Sequence, residues 1–298
     1  YIIGQVSAPI GDFIGFAHAL QDARISMERL NDIHAQEDEE YDICNKLSLL
    51  PENGTITVRD LTYSYSGAER DYAIKNLSLD IPEGKVTAIV GESGSGKTTL
   101  IKLLQGFYKP NSGTIKVGGI SLDCINPHLW RKSTGSVMQE SYIFSDTIAK
   151  NIALSTDEVD VKRLYDSALL ANADEFISAL PLGYNTRIGM EGSGVSQGQR
   201  QRLLIARAIY KNPKYLFFDE ATNSLDATNE RIIMENLQKI FQNRTVVISA
   251  HRLSTVMNAD NIVVMKKGEI VEQGTHSELV ALRGHYYTLV KNQLELGK

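Results

Sequence analysis

Hydrophobic positions change period along this chain, and each change marks an element. Over residues 12–34, Phe13, Phe16, Leu20, Ala23, Met27 and Leu30 fall on one helical face. An acidic run at 36–42, "QEDEEYD", reads as a solvated linker that ends near "PENG". From Gly54 the period drops to two. "TITVRDLTYSY" (55–65) and "NLSLDI" (76–81) have the alternation and β-branched content of strands, and "PEGK" turns the chain after the second. "VTAIV" (86–90) is continuously apolar, as a strand buried on both faces is, and "YLFF" (215–218), "TVVIS" (245–249) and "NIVVM" (261–265) repeat the pattern. Helical spacing covers 97–107, 160–179, 197–211 and 228–240. Buried strands alternating with helices predict an α/β core with a parallel sheet. The stretch from about 140 to 212 is poor in strands and rich in helices, as an inserted helical subdomain would be. No internal repeat or low-complexity segment interrupts it.

Composition narrows the classes without choosing one. The 298 residues are 42% hydrophobic and 22% charged, ordinary for a folded water-soluble chain. A net charge of −5 gives no global pull toward nucleic acid, so no nucleic-acid partner is expected. Cys44 and Cys124 have neither metal-ligand nor redox spacing and read as free thiols. No run of 18 uncharged apolar residues offers a complete membrane span. The apolar start, "YIIGQVSAPIGDFIGFAHAL", lacks the basic opening and the cleavage site of a signal peptide, and fits either the trailing end of a longer helix or an amphipathic helix that packs on its own domain.

The chemistry is concentrated in two places. "GESGSGKT", Gly91 to Thr98, satisfies Gly-x-x-x-x-Gly-Lys-Ser/Thr directly after "VTAIV" and directly before "TLIKLLQGF". Glycines let the backbone wrap closely, so that Ser93, Gly94, Ser95, Gly96 and the helix start at Lys97 and Thr99 turn their N–H groups to a phosphate chain. Lys97 can reach the outer phosphates, and the Thr98 hydroxyl can ligate Mg²⁺. Such a loop needs an acidic partner at the end of a neighbouring buried strand. "KYLFFDEATNSLD" supplies Asp219 for the metal and Glu220, one residue on, to polarise a water attacking the γ-phosphate.

The loop, "VSQGQRQRLLIARAIY", "LFFDEATNSLD" and "SAHRLS", in this order, resemble the ATP-binding cassette (ABC) ATPases over about residues 54–290. The resemblance implies a P-loop NTPase (RecA-like) α/β core with an antiparallel β subdomain and the inserted helical subdomain. It implies ATP as substrate with Mg²⁺, and ATPase activity. It assigns adenine stacking to Tyr65, contact with Mg²⁺ and the attacking water to Gln139, γ-phosphate contact to His251, and a loop that crosses between subunits to Asp226. Val195, Ser196, Gln197, Gly198 and Gln199 match the signature loop, which in the family closes on the γ-phosphate of a second copy in a head-to-tail pair. Two positions depart from the usual LSGGQ: Val195 replaces leucine and Gln197 replaces the middle glycine. With Ser196, Gly198, Gln199, Glu220 and His251 retained, Gln197 is expected to tune the site without disabling it.

"PIGDFIGFAHALQDARISMERLNDI" resembles the end of the last transmembrane helix and the connector of exporter-type half-transporters. "GYNTRIGMEG" (183–192) resembles the loop before their signature, except that Met190 stands where the family often has an acidic residue, with Glu191 next to it. The Ser-Gln-Gly-Gln variant with this connector is similar to peptide and bacteriocin exporters that carry a leader peptidase. The expected organisation is therefore 1–50 as helix end and connector, and 51–298 as nucleotide-binding domain. Its partners would be a second ATPase domain and a transmembrane domain, docked around 140–152 at the cytoplasmic face of the membrane. Two alternatives stay open: a soluble ABC ATPase acting on DNA or ribosomes, and a regulatory cassette that binds nucleotide without hydrolysing it. A single cassette with a short interval between Lys97 and Val195 counts against the first. Glu220 and His251 count against the second.

Overall fold

The computed structural model describes residues 2–35, 46–66, 71–154, 158–189, 194–223, 225, 227–249 and 256–296. Cys44, the run at 36–42, Met190, Glu191, Asp226 and His251 lie outside the described residues. The chain forms two units, 1–46 and 47–298. The described residues of the first are mainly one helix, α1 (Ile2–His34), with Pro9 inside it and Phe13, Phe16, Leu20, Met27 and Leu30 exposed along it. Among the described residues no helix is long and apolar enough to cross a membrane.

In the second unit the period-two segments form an antiparallel sheet. β1 (Ile56–Tyr63) lies between β2 (Ile74–Ile81) and β4 (Ser112–Val117), and the short β5 (Ile120–Ser121) follows β4 at the edge. Ile56 faces both Ile81 and Val117, so the inward positions of three strands coincide. A second sheet, six strands wide, carries the continuously apolar runs. It begins with β3 (Val86–Val90) and runs in the order β10-β9-β3-β8-β7-β6. Here β6 is Thr134–Val137, β7 Tyr215–Asp219, β8 Thr245–Ser249 and β9 Asn261–Lys266, all parallel to β3. β10 (Glu269–Gly274) closes the edge antiparallel to β9.

Alternation explains why those runs are apolar throughout. Ala88, Val90, Leu216, Phe218, Val246, Ile248, Ile262 and Val264 pack into one core, shared with the helices of 148–210. Ile89, Tyr215, Phe217, Val247, Val263 and Met265 enter a second core with α2 (Lys97–Leu104) and the antiparallel sheet. Both faces are covered, which a parallel sheet requires.

The helices depart from the sequence reading at their ends. The helix expected over 97–107 stops at Leu104, because Gly106 adopts φ 77° and turns the chain. The helix expected over 160–179 is two helices, α5 (Val161–Leu170) and α6 (Asp174–Ser178), broken at Asn172 with φ 52°. α3 (Pro127–Ser133) precedes β6, and α4 (Ile148–Ala153) and α7 (Gln197–Tyr210) complete the helices between β6 and β7, where no named strand occurs among the described residues. α8 is Ala227–Phe241, and α9 (His276–Leu282) and α10 (His285–Leu296) end the chain. One expectation about the sheet is corrected. β7 does not neighbour β3, because β8 stands between them, and it carries Ser249 into register with both Ile89 and Asp219.

Candidate nucleotide site

The strand ends meet at an open cleft of about 420 Å³, lined by Tyr65, Ala73, Ser93, Gly94, Gly96, Lys97, Thr98, Thr99, Gln139 and Glu220. Residues from five separated stretches therefore share one wall, and nine of these ten are singled out by the sequence. Ala73 is the exception, with nothing in its local pattern to mark it. Gly91 and Ser95 sit behind the cleft. A Cβ at Gly91 would collide with the Met265 carbonyl and the Ser95 hydroxyl, and Ser95 is buried, its carbonyl accepting from the Gly268 N–H at 3.0 Å. Gly96 caps α2 at φ 102°, and a Cβ there would lie 2.6 Å from the Ala73 carbonyl oxygen. Only glycine lets that loop pass so close to the antiparallel sheet.

Lys97 is buried, and its Nζ donates to the Gly91 and Glu92 carbonyls at 2.9 Å each. Burial lowers its pKa, while the charges of Glu220 and Asp219 act the other way. Asp219 is fully buried, and neither carboxylate oxygen has a hydrogen-bond partner. Burial raises its pKa; the hydroxyls of Thr98 and Ser249 oppose that, without reaching the geometry of formed bonds. The Ser249 hydroxyl is likewise buried and unpartnered. A buried carboxylate without donors is costly, and a cation is the usual remedy. Thr98 lies beside Asp219 and shares the cleft wall with Gln139, and carboxylate, hydroxyl and amide oxygens are the donors that Mg²⁺ takes.

Glu220 follows at φ 53°, a left-handed backbone rare for its type, held by its N–H donating to the Ser249 carbonyl at 3.0 Å. Its Oε2 accepts from the Asn223 amide at 2.7 Å. Asn223 and Ser249 were not singled out in the sequence. Asn223 lies three residues past Glu220, while Ser249 reaches the site only through sheet order. Tyr65 is 57% exposed, and its hydroxyl meets the Thr99 hydroxyl at 3.1 Å.

None of the signature residues lines the cleft. Ser196 caps α7, accepting from the Gln199 N–H at 3.2 Å, and the Gln199 side chain accepts from the Ser196 N–H at 2.9 Å. Val195 is half-buried against the core. Gln197 is exposed at the first helical position, and Gly198 is half-buried beside it.

The same helix grips the segment expected to dock a membrane domain. Arg207 donates to the Asn151 carbonyl at 2.7 Å, the Asn151 side chain at 3.1 Å and the Tyr142 carbonyl at 2.6 Å. Arg200 reaches the Ser141 carbonyl at 2.6 Å. Burial first, then the charge of Arg200, push the Arg207 pKa down to about 10, so it stays charged near neutrality. Asn151, buried, winds the loop by donating to the Phe144 and Thr147 carbonyls at 2.9 and 3.0 Å. The exposed Tyr142 and Phe144 pair edge-on at 5.3 Å on its surface.

Residues 74–223 match the ABC transporter family. Over 293 residues, 98% of the chain, it is 45% identical to the leukotoxin translocation ATP-binding proteins LktB of Mannheimia haemolytica and Bibersteinia trehalosi. The chain spans 41% of their length. A bacterial Atm1-family ABC exporter solved with ATP bound superposes with a TM-score of 0.85 at 33% identity, covering 93% of this chain and 48% of that one. The cleft, the sheet order and these matches agree: the chain belongs to the ABC transporter family and is an ATPase domain of it.

Proposed function

We propose that this chain binds ATP in the cleft and hydrolyses it as one half of a head-to-tail pair, powering export through a membrane domain. The observation that carries the reading is the division of labour between two surfaces. One cleft gathers Tyr65, the phosphate loop, Lys97, Gln139 and Glu220, while the signature residues stand apart from it on a helix start. In this reading the N–H groups of the loop and the start of α2 bind the phosphates, Lys97 exchanges its carbonyl partners for phosphate oxygens, and Tyr65 stacks on the base. Asp219, Thr98 and Gln139 would hold Mg²⁺. A bound Mg²⁺ supplies charge neutralisation across the outer phosphate oxygens. Glu220 accepts the proton of the attacking water; the water oxygen bonds to the γ-phosphorus as the bond to the bridging oxygen breaks, releasing ADP and phosphate.

Ser196 and the Gly198 N–H would complete the partner's site, with Asp226 at the crossing and His251 on the γ-phosphate. Residues 140–152, clamped by Arg200 and Arg207, would receive the membrane domain on the cytoplasmic side. Segment 1–50 would be the connector, 51–298 the ATPase domain and about 140–212 its helical subdomain. A polypeptide cargo is supported by the connector's likeness to peptide exporters and by relatives named for leukotoxin translocation. Glu220 in the cleft favours hydrolysis over a purely regulatory role.

Phosphate release from Mg-ATP is the test. Wild-type chain should turn over, and Glu220→Gln should lose about 10²–10⁴-fold while keeping ATP affinity and gaining an ATP-dependent dimer in light scattering. Undiminished turnover in that variant would remove Glu220 from the role of base.

A further inference from the structure

Next to the cleft three tyrosines form one cluster, Tyr65 and its neighbour Tyr63 from the "YSYSG" stretch and Tyr108, which the sequence pattern does not mark. Tyr63, at the end of β1, and Tyr108, beyond α2, stack at 5.4 Å and 24°. Tyr65 meets both edge-on, at 5.1 Å and 82° to Tyr63 and at 5.5 Å and 83° to Tyr108. Tyr63 is buried and Tyr108 half-buried behind the exposed Tyr65. The turn after Tyr108 is pinned to the same strand end. Asn111 accepts from the Ser64 N–H at 2.7 Å and donates its own N–H to the Thr62 carbonyl at 3.0 Å. α2 contributes twice more, through Thr99 on the Tyr65 hydroxyl at 3.1 Å and through Lys102, whose Nζ lies 6.0 Å from the Tyr108 ring centre.

We propose that Tyr108 is a positioning residue for nucleobase recognition: with Thr99 it fixes the tilt of the Tyr65 ring, so the helix that binds phosphate also sets the base platform. This rests on Tyr65 being the residue that stacks on adenine. Physically, an exposed aromatic loses conformational freedom when it binds a flat ligand, and a ring already held at its edge and at its hydroxyl has less to lose. Edge-to-face pairs carry enough energy to matter for such an orientation.

The test compares ATP with inorganic tripolyphosphate, which has the phosphates and no base, on the isolated chain. Tyr108→Ala should weaken ATP binding about three- to tenfold and leave tripolyphosphate binding within about twofold. Tyr108→Phe, which keeps the ring, should bind both like wild type. Tyr108→Leu, which keeps apolar bulk without the ring, carries the same expectation as Tyr108→Ala should that variant fail to fold. Equal weakening of ATP and tripolyphosphate would make Tyr108 a merely structural residue and overturn the proposal, as would unchanged ATP binding. Tyr65→Ala separates the two layers. If it leaves ATP affinity unchanged, the stacking role itself is wrong. If it weakens ATP while Tyr108→Ala does not, stacking stands and the positioning role of Tyr108 falls.

Discussion

The phosphate end of the sheet and the start of α7 are both polar and rich in glycine, yet they are built on opposite principles. At the phosphate end, polar groups are buried and left wanting. Asp219 has no hydrogen-bond partner, the Ser249 hydroxyl has none, and Glu220 is held in a left-handed backbone. At the start of α7 the polar groups are paired locally, Ser196 and Gln199 each accepting from the other's backbone N–H in a reciprocal capping box at the surface. The first region stores cost that a ligand relieves. The second is locally satisfied, and what it offers to a ligand is a helix start facing outward. This is how a site divided between two copies would look within one copy, preorganised where nucleotide is held and self-sufficient where the partner's nucleotide arrives.

Asp219→Asn should separate the two regions most sharply. Replacing a buried, donor-poor carboxylate with a neutral amide should raise stability without nucleotide by about 1–2 kcal/mol, read by urea denaturation, while turnover falls by about a hundredfold or more. A variant that lost stability as well would show that the carboxylate is satisfied after all. Ser196→Gly tests the other region. Glycine is a tolerable cap, so stability should drop by only a few tenths of a kcal/mol. Turnover at high protein concentration should fall about tenfold if the hydroxyl serves a partner's phosphate.

Smaller again is the effect of Asn223 on Glu220. Asn223→Ala removes one donor and should slow turnover about three- to fivefold at unchanged ATP affinity. Asn223→Asp keeps the shape but sets two carboxylates together, and should be slower than Asn223→Ala. A purely structural asparagine would give the reverse order. Gln197→Gly, which restores the usual signature, should change turnover by several-fold at most, since the side chain is exposed at the helix start. A thousandfold jump would mean that Gln197 disables the site.

What was legible in the sequence was local. The run from Val86 through Thr98 to Leu104 is one continuous strand, loop and helix, and its chemistry and geometry coincide within a single stretch. The same holds for β7 and the two acids that end it. What escaped depended on distant partners. That β8 lies between β3 and β7, bringing Ser249 beside Asp219, is a property of sheet order that no strand carries alone. The grip of Arg207 on Asn151 spans 56 positions, and both are unremarkable polar residues in the sequence. The break at Asn172 interrupts an otherwise helical pattern, and the left-handed turn there is visible only once α7 packs beneath it, with Arg202 donating to the Asn172 carbonyl at 2.7 Å.

Mixing two disabled variants tests most directly whether each signature loop serves the nucleotide of another copy. Ser196→Arg should block the signature, and Glu220→Gln should remove the base, so each alone should turn over little ATP. A mixed dimer places both lesions in one site and leaves the other whole. Combined in equal amounts before ATP is added, the two should recover about a quarter of wild-type phosphate release, because half the dimers are mixed and each has one intact site. If the mixture releases phosphate no faster than the average of the two variants measured apart, the signature does not act across a pair.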